Sequence, residues 1–305
     1  MRLPRSVLLF TLASVLVLPA AARQEPQFRT RSDLVVLHAS VTDRRGAFVD
    51  DLDERAFHLF EDGRPRDVSF FRKEDQPATI GLIVDSSASM FQVRPLVIAA
   101  SRAFVQVSNH DDEFFALAFN NDVTPALPED DPFTSDPATF SDALASVITA
   151  HGRTKLFDAI SAAIDYGARG SHVRKALVVI SDGGDNASRT TLSQLAAKVQ
   201  TSNVVLYTVA LVDPVDEEAR PEQLRELAKV TGGLSFEPKA LKDVGEALNV
   251  IARNLRHSYV LGYVPGSIDD GRLHQLRVTV SMPGRSGLKV RTRSVYLAWP
   301  TSIGP

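Results

Sequence analysis

Five oxygen-bearing side chains are placed along the sequence where they could share one metal ion. Asp85 directly follows an apolar run, and the hydroxyls of Ser87 and Ser89 come two and four residues later. A second apolar run is followed by Asp182, and Thr154 stands between the two runs, just ahead of a helical pattern. Because the carboxyl ends of parallel strands meet at one edge of a sheet, we expect these five side chains to converge there.

A site made of oxygen atoms alone favours a hard divalent cation. Mg²⁺ binds carboxylates and hydroxyls, as do Mn²⁺ and Ca²⁺, whereas zinc prefers nitrogen and sulfur ligands. The carboxylates of Asp85 and Asp182 would neutralise such an ion, and neutral hydroxyls would leave it electrophilic. An open coordination position would then accept a carboxylate from a partner.

Other polar residues near this pattern have simpler explanations. Asp185 lies three residues after Asp182 and could hold a ligand in place, although a plain loop carboxylate is the simpler interpretation. Asp158 falls in the first turn of a predicted helix, where the helix dipole favours it. The acidic stretch 216–218 follows a predicted strand and could bind a second cation or fill the open position, but a solvated loop is the default.

The elements around these residues alternate between strands and helices. Apolar runs predict buried strands over 79–84, 114–119, 176–180 and 204–209. Apolar residues at helical spacing predict helices over 96–107, 138–148, 156–167, 221–232 and 241–255. We therefore predict an α/β fold with a mainly parallel central sheet and helices on both of its faces.

Strand patterns also occur on both sides of this α/β region. Residues 34–42 alternate with period two, and Asp62-Gly63 is a hairpin signal. Later strands are predicted over 259–263, 276–280 and 288–295. Neither flank has enough strands to bury a core alone. We therefore predict one β-sandwich made from both flanks, with the α/β part inserted between them.

The metal-site pattern resembles that of a known family. Asp85-x-Ser87-x-Ser89, Thr154 and Asp182 look like the metal-ion-dependent adhesion site of von Willebrand factor A domains. The resemblance implies a Rossmann-like domain in which these five residues hold the metal, some of them through water.

This resemblance is strengthened by patterns elsewhere in the chain. Residues 152–160 and 231–233 also look like the family, and the likeness spans residues 78–257. In the flanks, residues 41–46, 60–63 and 259–263 are similar to a bacterial secreted subgroup, the von Willebrand factor A-related acidobacterial domain.

The start of the chain is typical of a secretory signal peptide. Arg2 and Arg5 precede a short apolar run, and Ala20, Ala21 and Ala22 suit a cleavage site. We therefore expect export, to the periplasm or the exterior, and no membrane span in the mature chain.

Composition and length complete the predicted organisation. The net charge of −3 does not indicate a nucleic-acid binder, and the absence of cysteine from the sequence excludes disulfides and thiolate ligands. The predicted parts are a signal peptide (1–22), an N-terminal β segment (23–76), a von Willebrand factor A-like domain (77–257), a C-terminal β segment (258–299) and a tail (300–305).

The function predicted from these features is a non-enzymatic, metal-dependent protein-binding module for adhesion or assembly. Its partner would be a protein that offers an Asp or Glu carboxylate to the ion. One alternative is a metal-assisted hydrolase, for which His151 is the one nearby candidate for a general base. Another is a structural envelope protein whose metal only stabilises the fold. The sequence leaves open the partner, the choice of ion and the oligomeric state.

Overall fold

The computed structural model describes residues 34–73, 75–149, 151–212, 219–240, 242–266 and 270–298, without the side chain of Ser89. The predicted signal peptide, the acidic stretch 216–218 and the predicted tail lie outside the described residues.

Within the described residues the chain forms six α-helices and fourteen strands. The helices are α1 (Arg94–Val107), α2 (Pro137–Val147), α3 (Leu156–Gly167), α4 (Leu192–Thr201), α5 (Pro221–Thr231) and α6 (Asp243–Arg256). The strands are β1 (Val35–Thr42), β2 (Phe57–Glu61), β3 (Arg64–Arg66), β4 (Phe70–Lys73), β5 (Ala78–Asp85), β6 (Glu113–Phe119), β7 (Val123–Pro125), β8 (Arg174–Ser181), β9 (Val204–Ala210), β10 (Ser235–Phe236), β11 (Ser258–Tyr263), β12 (Leu273–Val280), β13 (Lys289–Arg291) and β14 (Val295–Leu297).

The central sheet has the strand order β10-β9-β8-β5-β6-β7. Every residue of β5 is buried, which explains the unbroken apolar run in its sequence. Neighbouring strands run parallel except at one edge, where β7 is antiparallel to β6. The prediction of a mainly parallel α/β sheet is confirmed, while the short strands β7 and β10 were not predicted.

Helices cover both faces of this sheet. On one face α1, α2 and α6 contribute Phe104, Phe140 and Ile251 to a buried apolar cluster. On the other face α3, α4 and α5 pack through Ile160, Leu195 and Leu224. Two apolar layers therefore hold the sheet and its loops in place.

Local signals set the ends of two helices. Pro221 opens α5 and Gly232 closes it with a φ of 85°, as predicted from the sequence. Helix α4 was not predicted, although it begins with a reciprocal cap. The Thr191 hydroxyl accepts the Gln194 N–H at 3.3 Å, and the Gln194 side chain accepts the Thr191 N–H at 2.9 Å.

The strands on the two flanks pair with each other. Strand β1 is antiparallel to β11, and β2 is antiparallel to β12. The resulting sheets have the orders β13-β1-β11-β4 and β14-β12-β2-β3. One buried apolar cluster includes residues of both sheets, among them Leu37, Leu59, Leu261 and Val278. Each flank therefore depends on the other for its hydrogen bonds and its core.

The turn between β2 and β3 was also predicted correctly. Asp62 and Gly63 have φ values of 49° and 79°, the left-handed conformation that a tight two-residue hairpin requires.

The predicted single strand over 288–295 is wrong. β13 pairs with β1, whereas β14 pairs with β12, so the chain passes from one flanking sheet to the other between them. Arg293 lies in this crossing and donates to the carbonyl oxygens of Gln200 at 2.9 Å and Ser202 at 2.8 Å. Its attachment to the end of α4 explains why the strand is interrupted there.

Candidate metal site

Asp85 ends the buried strand β5, with β6 on one side and β8 on the other. Its side chain is fully buried. One carboxylate oxygen, Oδ1, accepts the N–H of Ser87 at 2.8 Å, and the other, Oδ2, accepts the hydroxyl of Ser181 at 2.8 Å. These donors are uncharged, and none of the ion pairs between described residues includes Asp85.

Asp182 follows β8 at the same edge of the sheet. It is also buried, and its Oδ1 accepts the N–H of Gly184 at 2.8 Å. The turn depends on Gly183, which has a φ of 88°, and a Cβ there would lie 2.5 Å from the carbonyl oxygen of Arg220. The sequence Asp182-Gly-Gly therefore makes a tight turn that keeps the second carboxylate near the first.

The two carboxylates influence each other. Burial, together with the charge of Asp182, raises the pKa of Asp85 from its ordinary value of 3.8 to about 6. Hydrogen bonds from Ser87 and Ser181 act in the opposite direction. Two neighbouring acids held out of water are the arrangement that a bound cation would stabilise.

Thr154 lies just before α3 and is tied to the loop that contains Asp182. Its N–H donates to Oδ1 of Asn186 at 3.0 Å, and its carbonyl oxygen accepts the N–H groups of Asn186 and Ala187 at 3.1 Å. The Thr154 side chain is buried in this contact. The structure therefore connects the segment of Thr154 to the loop that follows Asp182.

Ser86 connects the loop after Asp85 to the segment that precedes Thr154. Its carbonyl oxygen accepts the N–H of His151 at 2.9 Å, and its hydroxyl accepts the N–H of Thr149 at 2.7 Å. The loops that carry Asp85, Thr154 and Asp182 are thus connected to one another at one edge of the sheet.

The two predicted serine ligands lie in the first of these loops. Ser87 is buried directly after the Asp85 strand. The short 3₁₀ helix Ala88–Met90 follows, and its Met90 N–H donates to the Ser87 carbonyl oxygen at 3.1 Å. Ser89 is inside this 3₁₀ helix, but its side chain lies outside the description.

The donors fit a hard cation better than zinc. Across the described ranges, no three His, Cys, Asp or Glu side chains come together as a metal-binding group. The predicted site differs from such a group, because it combines two carboxylates with hydroxyls. Oxygen donors of this kind suit Mg²⁺ and leave coordination positions for water or a partner.

A comparison with known families agrees with this architecture. The family model of the von Willebrand factor type A domain matches residues 79–254, from the start of β5 to the end of α6. The chain belongs to the von Willebrand factor type A domain family.

Solved structures share the fold of this von Willebrand factor A chain. A von Willebrand factor type A protein from Catenulispora acidiphila matches 90% of this chain and 76% of its own, with 12% identity and a TM-score of 0.50. Proximal thread matrix protein 1 from the mussel byssus matches 70% of this chain and 51% of its own, with 14% identity and a TM-score of 0.51. At these identities the likeness shows the fold alone.

A search for relatives among curated proteins and a search for membrane-spanning helices in the described part of the chain both found none. None of the curated protein sequences compared with the von Willebrand factor A chain matches it. Among the helices of the described residues, none has the length and apolar character needed to cross a bilayer.

Sequence reasoning missed residues that position the predicted ligands of this von Willebrand factor A domain. Ser181 donates to Asp85, and Asn186 holds Thr154 through side-chain and backbone contacts. Ser181 stands directly before Asp182 at the strand end, so its place at the same edge was available from the sequence. Asn186 gives no such signal, because its role depends on a loop contact with a residue 32 positions away.

Two acidic residues set aside from the sequence have defined contacts. Asp185 accepts the N–H of Phe157 at 3.3 Å and the hydroxyl of Ser188 at 2.6 Å. Asp158 accepts the N–H groups of Arg189 and Thr190 at 3.0 and 2.9 Å. Both therefore attach the start of α3, which follows Thr154, to the loop after Asp182. The helix dipole alone does not account for Asp158.

Proposed function

We propose that this chain is an exported, metal-dependent protein-binding module for adhesion or assembly. Asp85, Ser87, Ser89, Thr154 and Asp182 would hold a divalent ion, Mg²⁺ or else Mn²⁺ or Ca²⁺, directly or through water. The ion would bind an Asp or Glu carboxylate of a partner protein. Domains of the von Willebrand factor A family are typically protein-interaction modules, and the metal is the further step in this proposal.

One observation carries the proposal: two buried carboxylates from different strands lie near each other at one edge of the sheet. Asp85 accepts hydrogen bonds from the Ser87 backbone N–H and the Ser181 hydroxyl, and both of these donors are uncharged. A buried charge normally has a charged partner or binds a metal. A divalent cation between Asp85 and Asp182 would place a positive charge beside both carboxylates.

The residues around the site suit an acidic partner. His151, Gly152 and Arg153 are exposed directly before the buried Thr154. Arg153 is held in this loop by a hydrogen bond to the carbonyl oxygen of Asn186. A carboxylate approaching the ion would therefore pass a fixed positive charge.

Several parts of the proposal concern the whole chain. We propose export through residues 1–22, membership of the acidobacterial subgroup, and a β-sandwich built from the two flanking sheets. The shared cluster of Leu37, Leu59, Leu261 and Val278 supports stacking of those sheets. We also propose that the protein is not an enzyme.

Metal uptake is the first test. Isothermal titration with Mg²⁺ should show binding to the wild-type chain and none to Asp85→Ala. Asp122→Ala is the matched control, because Asp122 is 84% exposed and lies in a neighbouring loop. Equal uptake by wild type and Asp85→Ala would refute the site, and so would absence of uptake at millimolar Mg²⁺.

Partner binding is the second test. Affinity capture from the native envelope fraction should recover a partner with the wild-type chain in Mg²⁺, but not in EDTA or with Asp85→Ala. If Mg²⁺ raises the melting temperature but recovers no metal-dependent partner, the ion is structural. Turnover that is lost in His151→Ala while capture persists would instead support the hydrolase.

A further inference from the structure

Within the described parts of the chain, strand β1 has no strand partner along part of one edge. On one side, β11 pairs with β1 from Val35 to Ser40. On the other side, β13 pairs only with residues 40–42. Among the described residues, no backbone hydrogen bond joins residues 35–39 to a partner on that second side. An unpaired edge of this kind can accept another extended chain.

A cleft runs along this same part of β1. Its volume is about 280 Å³, and its walls come from β1, the start of β9 and β14. We call it the β1 cleft. Three of its lining residues are exposed apolar side chains: Leu34 at 41%, Val36 at 44% and Val173 at 93%. Apolar side chains gathered at a free strand edge are typical of a binding surface.

The charge at the β1 cleft is positive. Arg293 lines it and is fixed there by hydrogen bonds to Val295, Asn203 and the end of α4. None of the described residues that line the cleft is Asp or Glu. A ligand that carries a negative charge would therefore meet no opposing carboxylate in the walls.

Two buried nitrogen atoms near the β1 cleft lack hydrogen-bond partners within the described structure. One is Nδ1 of His38, which lines the cleft, and the other is Nε of Arg174, which is 6% exposed. Burial, together with the charges of Arg174 and Arg293, lowers the pKa of His38 from 6.5 to about 3. His38 is therefore a neutral imidazole near two cationic side chains. Polar atoms left unpaired in this way are costly unless a ligand or water satisfies them.

We propose that the β1 cleft binds an extended segment of a partner protein, which adds as a strand to the free edge of β1. An Asp or Glu of that segment would lie near His38 and Arg293. Apolar side chains on the segment would pack on Leu34, Val36 and Val173. The unpaired backbone edge favours a peptide over a small carboxylate, because only a peptide can continue the ladder of hydrogen bonds.

This surface is separate from the candidate metal site. Val173 precedes β8 and Val204 begins β9, so the cleft lies at the amino ends of these strands. Asp182 lies beyond the carboxyl end of β8. Binding at the β1 cleft is therefore expected to persist in EDTA, and the two proposals can fail independently.

A defined peptide tests the proposal. The probe is a fluorescein-labelled hexapeptide of alternating Val and Glu, and binding to the full chain is followed by fluorescence anisotropy in EDTA. One control peptide has Gln in place of Glu, and another has N-methylated backbone amides. We expect both changes to weaken binding by about tenfold or more.

Two protein variants locate the peptide. Val173→Glu places a carboxylate in the lining of the cleft. Because Val173 is 93% exposed, we expect the variant to fold as the wild type does. It should weaken binding of the Val–Glu peptide by about tenfold. Val107→Glu is the matched control, because Val107 is 43% exposed and lines a different cleft. It should leave binding unchanged.

Four outcomes would overturn the proposal. The first is no binding of the peptide to the wild-type chain at millimolar concentration, as expected if another part of the chain fills the cleft. The second is equal binding of the N-methylated and parent peptides. The third is equal binding by Val173→Glu and Val107→Glu. The fourth is competition by hexanoate as strong as that by the peptide, which would identify the occupant as a small carboxylate.

Discussion

Two buried carboxylates in this molecule have opposite surroundings. Glu61, in the flanking sheets, is 2% exposed and accepts hydrogen bonds from Arg66 at 2.7 Å, Tyr296 at 2.5 Å and Gly266 at 2.9 Å. Asp85, at the edge of the central sheet, is 0% exposed and accepts hydrogen bonds from uncharged Ser87 and Ser181.

The pKa shifts of the two acids reflect this difference. Burial would raise the pKa of Glu61, but hydrogen bonds from Tyr296, Gly266 and Arg66 outweigh it, and the pKa falls below its ordinary value. Burial raises the pKa of Asp85 to about 6. Glu61 is thus stabilised as a carboxylate by donors that include a charged arginine. Asp85 is buried with hydrogen bonds from uncharged donors, so a bound cation would stabilise its charged form.

Removing the Glu61 side chain should have the largest effect on stability. We expect Glu61→Ala to lower the free energy of unfolding by about 3 kcal/mol. The change leaves Arg66 and the buried hydroxyls of Tyr263 and Tyr296 without the acceptor that Glu61 provides. Urea denaturation in EDTA measures this. In the control, Glu226→Ala, the residue is 65% exposed and pairs with Lys229 on the surface. That control should change stability by less than about 0.5 kcal/mol, and a similarly small effect of Glu61→Ala would contradict the comparison.

Adding the proposed ion should stabilise the folded chain by a similar but smaller amount. At a hundredfold excess of Mg²⁺ over its Kd, the gain is expected to be about 2–3 kcal/mol. Denaturation with and without Mg²⁺ gives the value. Asp122→Ala should keep the full gain and Asp85→Ala should lose it; a gain that Asp85→Ala retains would place the ion elsewhere.

Neutralising Asp85 without changing its shape should act in the opposite direction from the loss of Glu61. In EDTA, Asp85→Asn is expected to raise the free energy of unfolding by about 1–2 kcal/mol, because it removes a buried charge that lacks a charged donor. Asp165→Asn is the control, since Asp165 is 72% exposed, and it should be neutral. If Asp85→Asn destabilised the chain as much as Glu61→Ala, the two acids would not differ as described.

The smallest predicted effect is a pH dependence in the flanking sheets. His274 donates to Asp62 at 2.7 Å and to Asp270 at 3.0 Å. Burial tends to lower the pKa of His274, but these two hydrogen bonds outweigh it, so the pKa is raised above 6.5. The stabilisation is therefore complete below the unfolded-state pKa and is lost as the pH rises through the folded-state pKa.

Asp62 and Asp270 are 49% and 32% exposed, so solvent screens their interaction with His274. This contribution is therefore about 0.5–1 kcal/mol, the size of a surface ion pair. Denaturation of wild type and His274→Gln between about pH 5 and about pH 8 should show the larger difference at the acidic end. His110→Gln, with a side chain 89% exposed, is the control. A difference that grows with pH would contradict the assigned charge state.

Long elements of the central domain could be predicted from the sequence, because their apolar residues repeat with the period of the element. Strand β5 is buried along its whole length, and α5 carries Pro221 and Gly232 at its ends. The same principle placed Asp85 and Asp182 at one edge of the sheet. That Asp85 and Asp182 bind a metal together with the hydroxyls of Ser87, Ser89 and Thr154 stays a prediction, and so does the identity of the ion.

Short or bent segments escaped prediction, because their structure depends on distant contacts. The crossing between β13 and β14 is fixed by Arg293 at the end of α4, about 90 residues earlier in the chain, as the 2.9 Å contact with Gln200 shows. Asn186 holds Thr154 through a contact between two loops, and the spacing of apolar residues in the sequence does not indicate such a contact. The cap of α4 at Thr191 is a local signal and could have been recognised.

The pairing of β4 with β11 has a mechanical consequence. The α/β domain departs from the flanking sheets after β4 and rejoins them at β11, and these two strands are hydrogen-bonded neighbours. A pulling force applied through β1 and β14 would act on the flanking strands. The two ends of the inserted domain would stay together, because β4 and β11 are hydrogen-bonded to each other. A load on the flanking strands would therefore leave the loops of Asp85, Thr154 and Asp182 in their geometry.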